Sequence, residues 1–351
     1  MGSERTLTDE QREIKERFRA DVGYWASSFD TILQIDPEFI ENYRNWLSYP
    51  LKSDALDPKI KEFVLIAAYS QVTHLQTDGI ERHIERAFDE AGIGYERADW
   101  HPHVVRVETD TPGVTWPSIH GWVHGQEEVS AIPASVLAPE PGDRVLDACA
   151  APGSKATQLA AEMQDEGTLV ANDNNLGRLS ALRFNCERLG VTNVAVTNRD
   201  ARNFSLKPFA AEDEHEGPQF DRVLVDAPCS CEGTIRKNPD ALDGWSEDHV
   251  AGIAGVQKGI LRRAIQVTRD GGHVVYSTCT FAPEENEAVL DRVLQKEDCR
   301  LVDYDLALEH DDGLTGWRDT EFDPQVAKAK RVYPHQNDTG GFFTAKLEVS
   351  A

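Results

Sequence analysis

From Asp143 to the end of the chain, short apolar runs alternate with longer stretches of helical period. The runs are DRVLDAC (143–149), GTLVAND (167–173), TNVAVTN (192–198), FDRVLVDAP (220–228) and GGHVVYST (271–278). The helical stretches between them are 154–164, 175–189 and 246–268. Strands that alternate with helices mean a mainly parallel sheet with helices on both faces. After CRLVDYD (299–305) comes GGFFTAKLEV (340–349), a Gly pair followed by alternation, which predicts a strand inserted late. The expected fold is α/β.

Residues 8–92 follow a different grammar. Thr8 is a candidate N-cap, and Ile14, Phe18, Val22 and Trp25 follow at helical spacing. DPEFIENYRNWLSYP (36–50) opens with Asp-Pro and is expected to stop at Pro50. LDPKIKEFVLIAAYSQV (56–72) and GIERHIERAFDEAG (79–92) repeat the helical pattern, the last ended by Gly92. Residues 93–140 scatter Pro, Gly and His. The expected organisation is a helical region over 1–92, a linker and RNA-contact region over 93–140, and a catalytic domain over 141–351. AAEDEHEG (210–217) reads as a solvated loop.

Composition narrows the setting. The 351 residues are 40% hydrophobic and 28% charged, enough for a real core. No run of eighteen apolar residues occurs, and the acidic N-terminus lacks a signal-peptide pattern, so no membrane partner and a cytoplasmic location are expected. Six cysteines in this length suit free thiols rather than a disulfide framework. The formal charge of −25, with Arg outnumbering Lys and acids spread along the chain, matches a halophilic surface. Molar salt screens charge beyond about 3 Å, so the acidity does not exclude a nucleic-acid substrate.

Candidate chemistry begins at VLDACAAPGSKATQLA (145–160), which reads as strand, small-residue turn, helix. Small residues admit a ligand close to the backbone, and the helix start offers free amides. The spacing is neither a Walker A loop nor G-x-G-x-x-G. Asp173 ends the next strand, where an acid can take both ribose hydroxyls, and Asp200 follows the third strand where an adenine edge would lie. Either one taken singly also suits a helix cap.

DACAAPGSKATQLA, ANDNNLGRLSALRFNCERLG, DRVLVDAPCSCEGTIRKNPDA, YSTCTFAPEENEAVL and YPHQNDTGGFFTAKLE together resemble the Nop/Sun family of S-adenosylmethionine-dependent RNA cytosine-5 methyltransferases, over about residues 93–351. The resemblance implies a class I, Rossmann-like methyltransferase with a seven-stranded, mostly parallel sheet. It implies S-adenosylmethionine at the turn formed by Cys149, Ala150, Ala151, Pro152, Gly153, Ser154 and Lys155, with Asp173, Arg178, Asp200 and Asp226 completing the pocket. It also implies an RNA substrate, tRNA in preference to rRNA, and a chain acting as a monomer.

Carbon 5 of cytosine becomes a nucleophile when a thiolate adds to carbon 6, and the adduct must later be resolved. The resemblance gives the attack to Cys279 in STCT and the release to Cys229 in APCS. Asp226 is the candidate partner for N3 of the base, with Lys155 beside it. DNA cytosine-5 methyltransferases attack from the Pro-Cys position, so spacing alone does not separate the two thiols. A DNA enzyme and a non-catalytic RNA-binding or assembly factor on the same fold are the rival readings.

Cys231 stands where the resembled family commonly has Gly. With Cys229 it makes a C-x-C pair, and with Cys279 a possible three-thiol metal site, but no fourth ligand is in view and structural zinc sites usually use C-x₂₋₄-C spacing, so no metal is expected. Cys149, Cys186 and Cys299 read as packing residues. His120 and His124 in HGWVH are four apart, but Gly121 and Gly125 argue against a metal-binding helix. Arg236 and Lys237, with Lys328, Lys330, Arg331 and His335, are candidate RNA contacts.

The N-terminal stretches LQIDPEFIENYRNWLSYPL, ALDPKIKEFVLIAAYS and THLQTDGIERHIERAFDEAG resemble the carboxymuconolactone decarboxylase and alkyl hydroperoxidase D family. Some members of that family carry C-x-x-C before a histidine. Here Gln76 and Gly79 precede His83, and the segment has no cysteine, so redox chemistry is not expected there. A natural fusion without an activity of its own is the favoured reading.

Overall fold

The computed structural model describes residues 7–23, 25, 27–52, 57–58, 60–61, 84–86, 88–89, 91–109, 111–209 and 219–350. The chain divides into two compact units, Met1–Glu96 with Val105–Trp122, and Arg97–Val104 with Val123–Ala351. Most of the segment resembling carboxymuconolactone decarboxylases beyond residue 52, His83 included, lies outside the described residues, as does the acidic loop 210–217.

In the first unit, α1 (Asp9–Val22) starts at Thr8, whose side chain accepts from the Gln11 amide while Gln11 returns the bond, a capping box. Ile14, Phe18 and Val22 are buried with Phe29 and Leu33 of α2 (Ser27–Ile35) and Ile40 and Leu47 of α3 (Pro37–Lys52). Trp25 sits past the end of α1 and packs edge-on against Phe18. One expectation fails: α3 continues two residues past Pro50. A proline so near a helix end removes one N–H from a turn that frays anyway, so the helix survives it.

The second unit is built on β1 (Arg144–Asp147), β2 (Thr168–Asn172), β3 (Val194–Thr197), β4 (Phe220–Asp226), β5 (Thr268–Thr278), β6 (Cys299–Val302), β7 (Asp311–Asp312), β8 (Lys330–Val332) and β9 (Phe342–Val349). The order is β3-β2-β1-β4-β5-β9-β8-β7, with β6 also pairing β9. Strands β1 to β5 pair in parallel, and β9 enters antiparallel to β5. The expected late insertion is therefore present. The sheet has nine strands rather than seven. The outer edge of β9 is long enough to take β6 along its C-terminal half and β8 along its N-terminal half, and β7 extends β8.

The runs of β1, β2, β4 and β5 serve two cores, whereas β3 presents only Val194 and Val196 to one. Leu146, Val223, Val225, Val274 and Tyr276 face one cluster with Ile260 and Leu261 of α7 (Glu247–Val267). Their neighbours Val145, Leu224 and Val275 face the other. That side holds Leu137 of α4 (Ile132–Leu137), Leu159 of α5 (Ser154–Glu162) and Leu182 of α6 (Leu176–Arg188). Alternate side chains of a strand point to opposite faces, which is why these runs read as continuously apolar. The parallel register brings the ends of β1, β2, β4 and β5 to one edge, where the polar residues collect.

Candidate active site

The turn after β1 is pinned between its neighbours. Ala148 N donates to Leu224 O and Ala150 N to Asn172 O, and the Asn172 amide donates to Ala148 O at 3.0 Å. Gly153 has φ 113°, a conformation that favours glycine, and a Cβ there would also press on Leu182 Cδ1 at 3.0 Å. Helix α5 starts at Ser154, whose Oγ lies 2.8 Å from His124 Nε2. Arg188 holds the other ring nitrogen of His124 at 3.0 Å. Burial first and then Arg188 pull the His124 pKa down. The turn lines a cleft of about 230 Å³ with Glu127, Asp147, Ala151, Lys155 and Asp226.

Asp147 is fully buried. One carboxylate oxygen accepts from Cys149 N at 3.3 Å, and Oδ2 has no partner. Burial and the nearby Asp226 push its pKa up to about 7. Lys155 Nζ lies 2.8 Å from Asp226 Oδ2, and Ser277 donates to Asp226 Oδ1 at 2.8 Å. Burial pulls Lys155 toward its neutral form, but Asp226 and Asp147 outweigh it and raise its pKa.

Asp173 is buried and accepts from Ala151 N at 3.2 Å and Asn175 N at 2.8 Å, with Arg178 Nη1 at 3.4 Å. Arg178 also donates to Ala151 O. Asp200 forms an ion pair with Arg202 at 2.6 Å and caps the turn at Arg202 N. The Arg202 hydrogen bond holds its carboxyl below the usual range.

The three thiols expected from the two motifs meet. Cys229 Sγ is 3.2 Å from Cys279 Sγ and 3.8 Å from Cys231 Sγ. Hydrogen bonds from Cys229 and Cys279 lower Cys231 to a pKa of about 3. Cys229 goes up, through its bonds to Cys231 and Cys279 and its burial. Cys279 is favoured as thiolate by Cys229, but Cys231, burial and Asp226 outweigh that and push it up. Cys186 is buried, Cys149 and Cys299 are half-buried against the core, and all six are free.

A polar scaffold behind the thiols escaped the sequence reading. Buried Glu285 accepts from Ser230 N at 3.1 Å and from Gln257 at 2.8 Å, and Gln257 also donates to Pro228 O. Asn286 accepts from Thr278 Oγ1 at 2.6 Å and donates to Thr280 O at 3.0 Å. The run PEEN directly after STCTFA was the available signal, polar residues that cannot travel far from the strand end. Gln257 gave none.

Arg331 corrects a second expectation. It is 3% exposed and forms a bidentate pair with Glu287 of α8 (Glu287–Leu294) at 2.6 Å, so it is no RNA contact. Lys328 donates to Leu301 O, and Lys330 lies among Asp303 and Asp312. Arg236 and Lys237 are exposed beside the thiol loop, paired with Asp338 and Glu127.

The chain matches the family described as 16S rRNA methyltransferase RsmB/F over residues 134–348, more than half its length. It belongs to that family. A tRNA (cytosine(49)-C(5))-methyltransferase of Pyrococcus abyssi is 40% identical over 65% of this chain and 70% of its own length. A 26S rRNA (cytosine-C(5))-methyltransferase of Caenorhabditis elegans is 38% identical over 72% of this chain, which spans only 37% of that protein. Among solved structures, NSun6 from Pyrococcus horikoshii with SFG is 31% identical, with a TM-score of 0.57 over 70% of this chain and 58% of that one. A methyltransferase homologue from the same organism gives a TM-score of 0.66 at 25% identity, over 98% of this chain and 100% of its own. Among the described residues, no helix is long and apolar enough to cross a membrane.

Proposed function

We propose that the chain transfers a methyl group from S-adenosylmethionine to carbon 5 of cytosine in RNA, through a covalent adduct with Cys279. The observation that carries this reading is the approach of Cys229 and Cys279 to 3.2 Å beside the Lys155–Asp226 pair. Two thiols and a half-buried acid–base pair on one edge of a parallel sheet suit addition to a ring carbon and its later reversal.

The cleft fits the methyl donor. Its unpartnered Asp147 oxygen favours a ligand that donates a hydrogen bond or carries positive charge, and the Cys149–Lys155 turn admits one close to the backbone. The related NSun6 was solved with SFG, an S-adenosylmethionine analogue. When bound, S-adenosylmethionine supplies an electrophilic methyl group on a sulfonium. Cys279 adds to carbon 6 as a thiolate, with the Lys155 ammonium nearby to favour that charge. Asp226 faces N3 of the base and relays to it a proton from its Lys155 partner, so that addition at carbon 6 leaves a neutral enamine whose carbon 5 is nucleophilic. Cys229 assists the loss of the carbon 5 proton and the departure of Cys279. The target base must leave its stack, so loops are the preferred substrate. The tRNA preference is supported by the Pyrococcus abyssi relative, most of whose length this chain covers.

The test separates the thiols. Cys229→Ala is expected to attack and methylate but stall, leaving RNA held covalently as a slow band on a denaturing gel. Cys279→Ala and the double variant should show no band and at least about 100-fold less methyl transfer. Trapping that appears only when Cys279 is removed would reverse the assignment.

A further inference from the structure

We propose that Cys229, Cys231 and Cys279 form a binding site for a soft, thiophilic divalent cation, Zn²⁺ in the first instance, and that its occupation switches methyl transfer off. Attack and release, as proposed above, use two thiols and leave Cys231 without an assigned step. Three thiolates around one zinc ion, each about 2.3 Å from it, are separated by about 3.8–4.0 Å. Here two of the pairs are 3.2 and 3.8 Å apart, and all three sulfurs lie within 4.8 Å of one another. Soft sulfur ligands select zinc-class ions over the hard cations that oxygen sites take.

The backbone shows that the third sulfur is held in place. Cys231 has φ 66°, in the left-handed region that side-chain-bearing residues avoid and glycine occupies freely. Its loop is tied to the strand that carries Cys279 by Gly233 N donating to Cys279 O at 2.8 Å, and to the last strand by Gly341 N donating to Gly233 O at 2.8 Å. Two ligands from one tied loop and one from the neighbouring strand end make a three-ligand site that C-x-C spacing does not announce. No fourth His, Cys, Asp or Glu joins the group among the described residues, which leaves the fourth position to water. Each ligating thiol gives up its proton as its sulfur binds the ion, so affinity rises with pH and no redox partner is needed. The inhibitory consequence rests on the methyltransferase reading, because the ion occupies the sulfur that attacks the base. The binding itself does not.

The full chain, reduced and stripped with a chelator, is titrated with Cd²⁺, and thiolate charge-transfer absorbance is followed without RNA or S-adenosylmethionine. Zn²⁺ affinity is then taken by competition with a chromophoric chelator. The wild type is expected to bind one ion per chain. Cys231→Gly, which also relieves the left-handed strain, and Cys231→Ser should bind at least about 30-fold more weakly, because losing a direct ligand costs no less than the roughly 10–100-fold that follows loss of a partner behind one. Both variants should melt no lower than a few degrees below the wild type and keep methyl transfer within a few-fold. Stoichiometric Zn²⁺ should silence the wild type, reversibly with chelator, and spare Cys231→Gly. A wild type that binds no ion, or a Cys231→Gly that binds as tightly, overturns the site even if methyl transfer is intact. Tight three-thiol binding in a chain that methylates no RNA would instead strike the methyltransferase reading and leave the site standing.

Discussion

Asp147 closes β1 with a carboxylate that solvent does not reach, one oxygen unpartnered and Asp226 close by. Its pKa of about 7 in the fold, against about 3.9 in an unfolded chain, means that the fold retains a proton the unfolded chain releases. The sign follows. This group's stabilisation is greatest below the unfolded value, declines as pH rises through the interval, and is gone above about 7. The substitution Asp147→Asn would keep an acceptor for Cys149 N and carry no charge to repel Asp226. Without ligand, Asp147→Asn is expected to be more stable than wild type at pH 8, by on the order of 3 kcal/mol, with the gap closing toward pH 4. Denaturant titrations at several pH values check this, and a gap independent of pH would show that Asp147 is already ionised. The residue stands at the end of the first apolar run, DRVLDAC, and was not singled out from the sequence. Its unpaired oxygen was not legible there, because pairing depends on β2 and β4 arriving from elsewhere in the chain.

At the scale of elements, legibility tracked how local the cause was. The inner parallel strands were readable because both faces of their runs are buried, as Val145 and Leu146 show by facing opposite cores. Thr8 was readable as an N-cap because its partner, Gln11, lies within one turn; the bond that Gln11 returns was seen only in the structure. Arg331 was misread because its partner, Glu287, lies 44 residues away and a charge on a short strand looks solvated. That pair anchors α8 to β8, and Arg331 Nη1 also donates to Phe281 O at 3.1 Å, two residues past Cys279. Removing one member of a buried ion pair strands the other. Glu287→Gln is therefore expected to destabilise the fold by about 3–5 kcal/mol and to slow methyl transfer by loosening the Cys279 loop. Arg331→Met with Glu287→Leu should recover much of the stability but not the bond to Phe281 O, and so only part of the activity. Chemical denaturation with parallel activity assays separates the two, and full recovery of activity would show that the loop does not depend on Arg331.

Over the whole molecule, 61 acidic residues face 36 basic ones. Many of the exposed cations are spent locally, as Arg202 is on Asp200, Arg262 on Glu297 and Arg300 on Glu348. Exposed pairs of this kind contribute about 0–1 kcal/mol each, so weakening them with salt costs little. The unpaired excess of 25 negative charges repels itself through solvent, where screening is effective. The Debye length falls from about 10 Å at 0.1 M to about 3 Å at 1 M. Repulsion should therefore dominate at low salt and fade at high salt. The melting temperature is expected to climb steadily between about 0.1 and about 2 M KCl. Scanning calorimetry across that series decides it. A midpoint that is flat or falls with salt would mean that the local pairs outweigh the excess charge, and that the acidic composition is not an adaptation to salt.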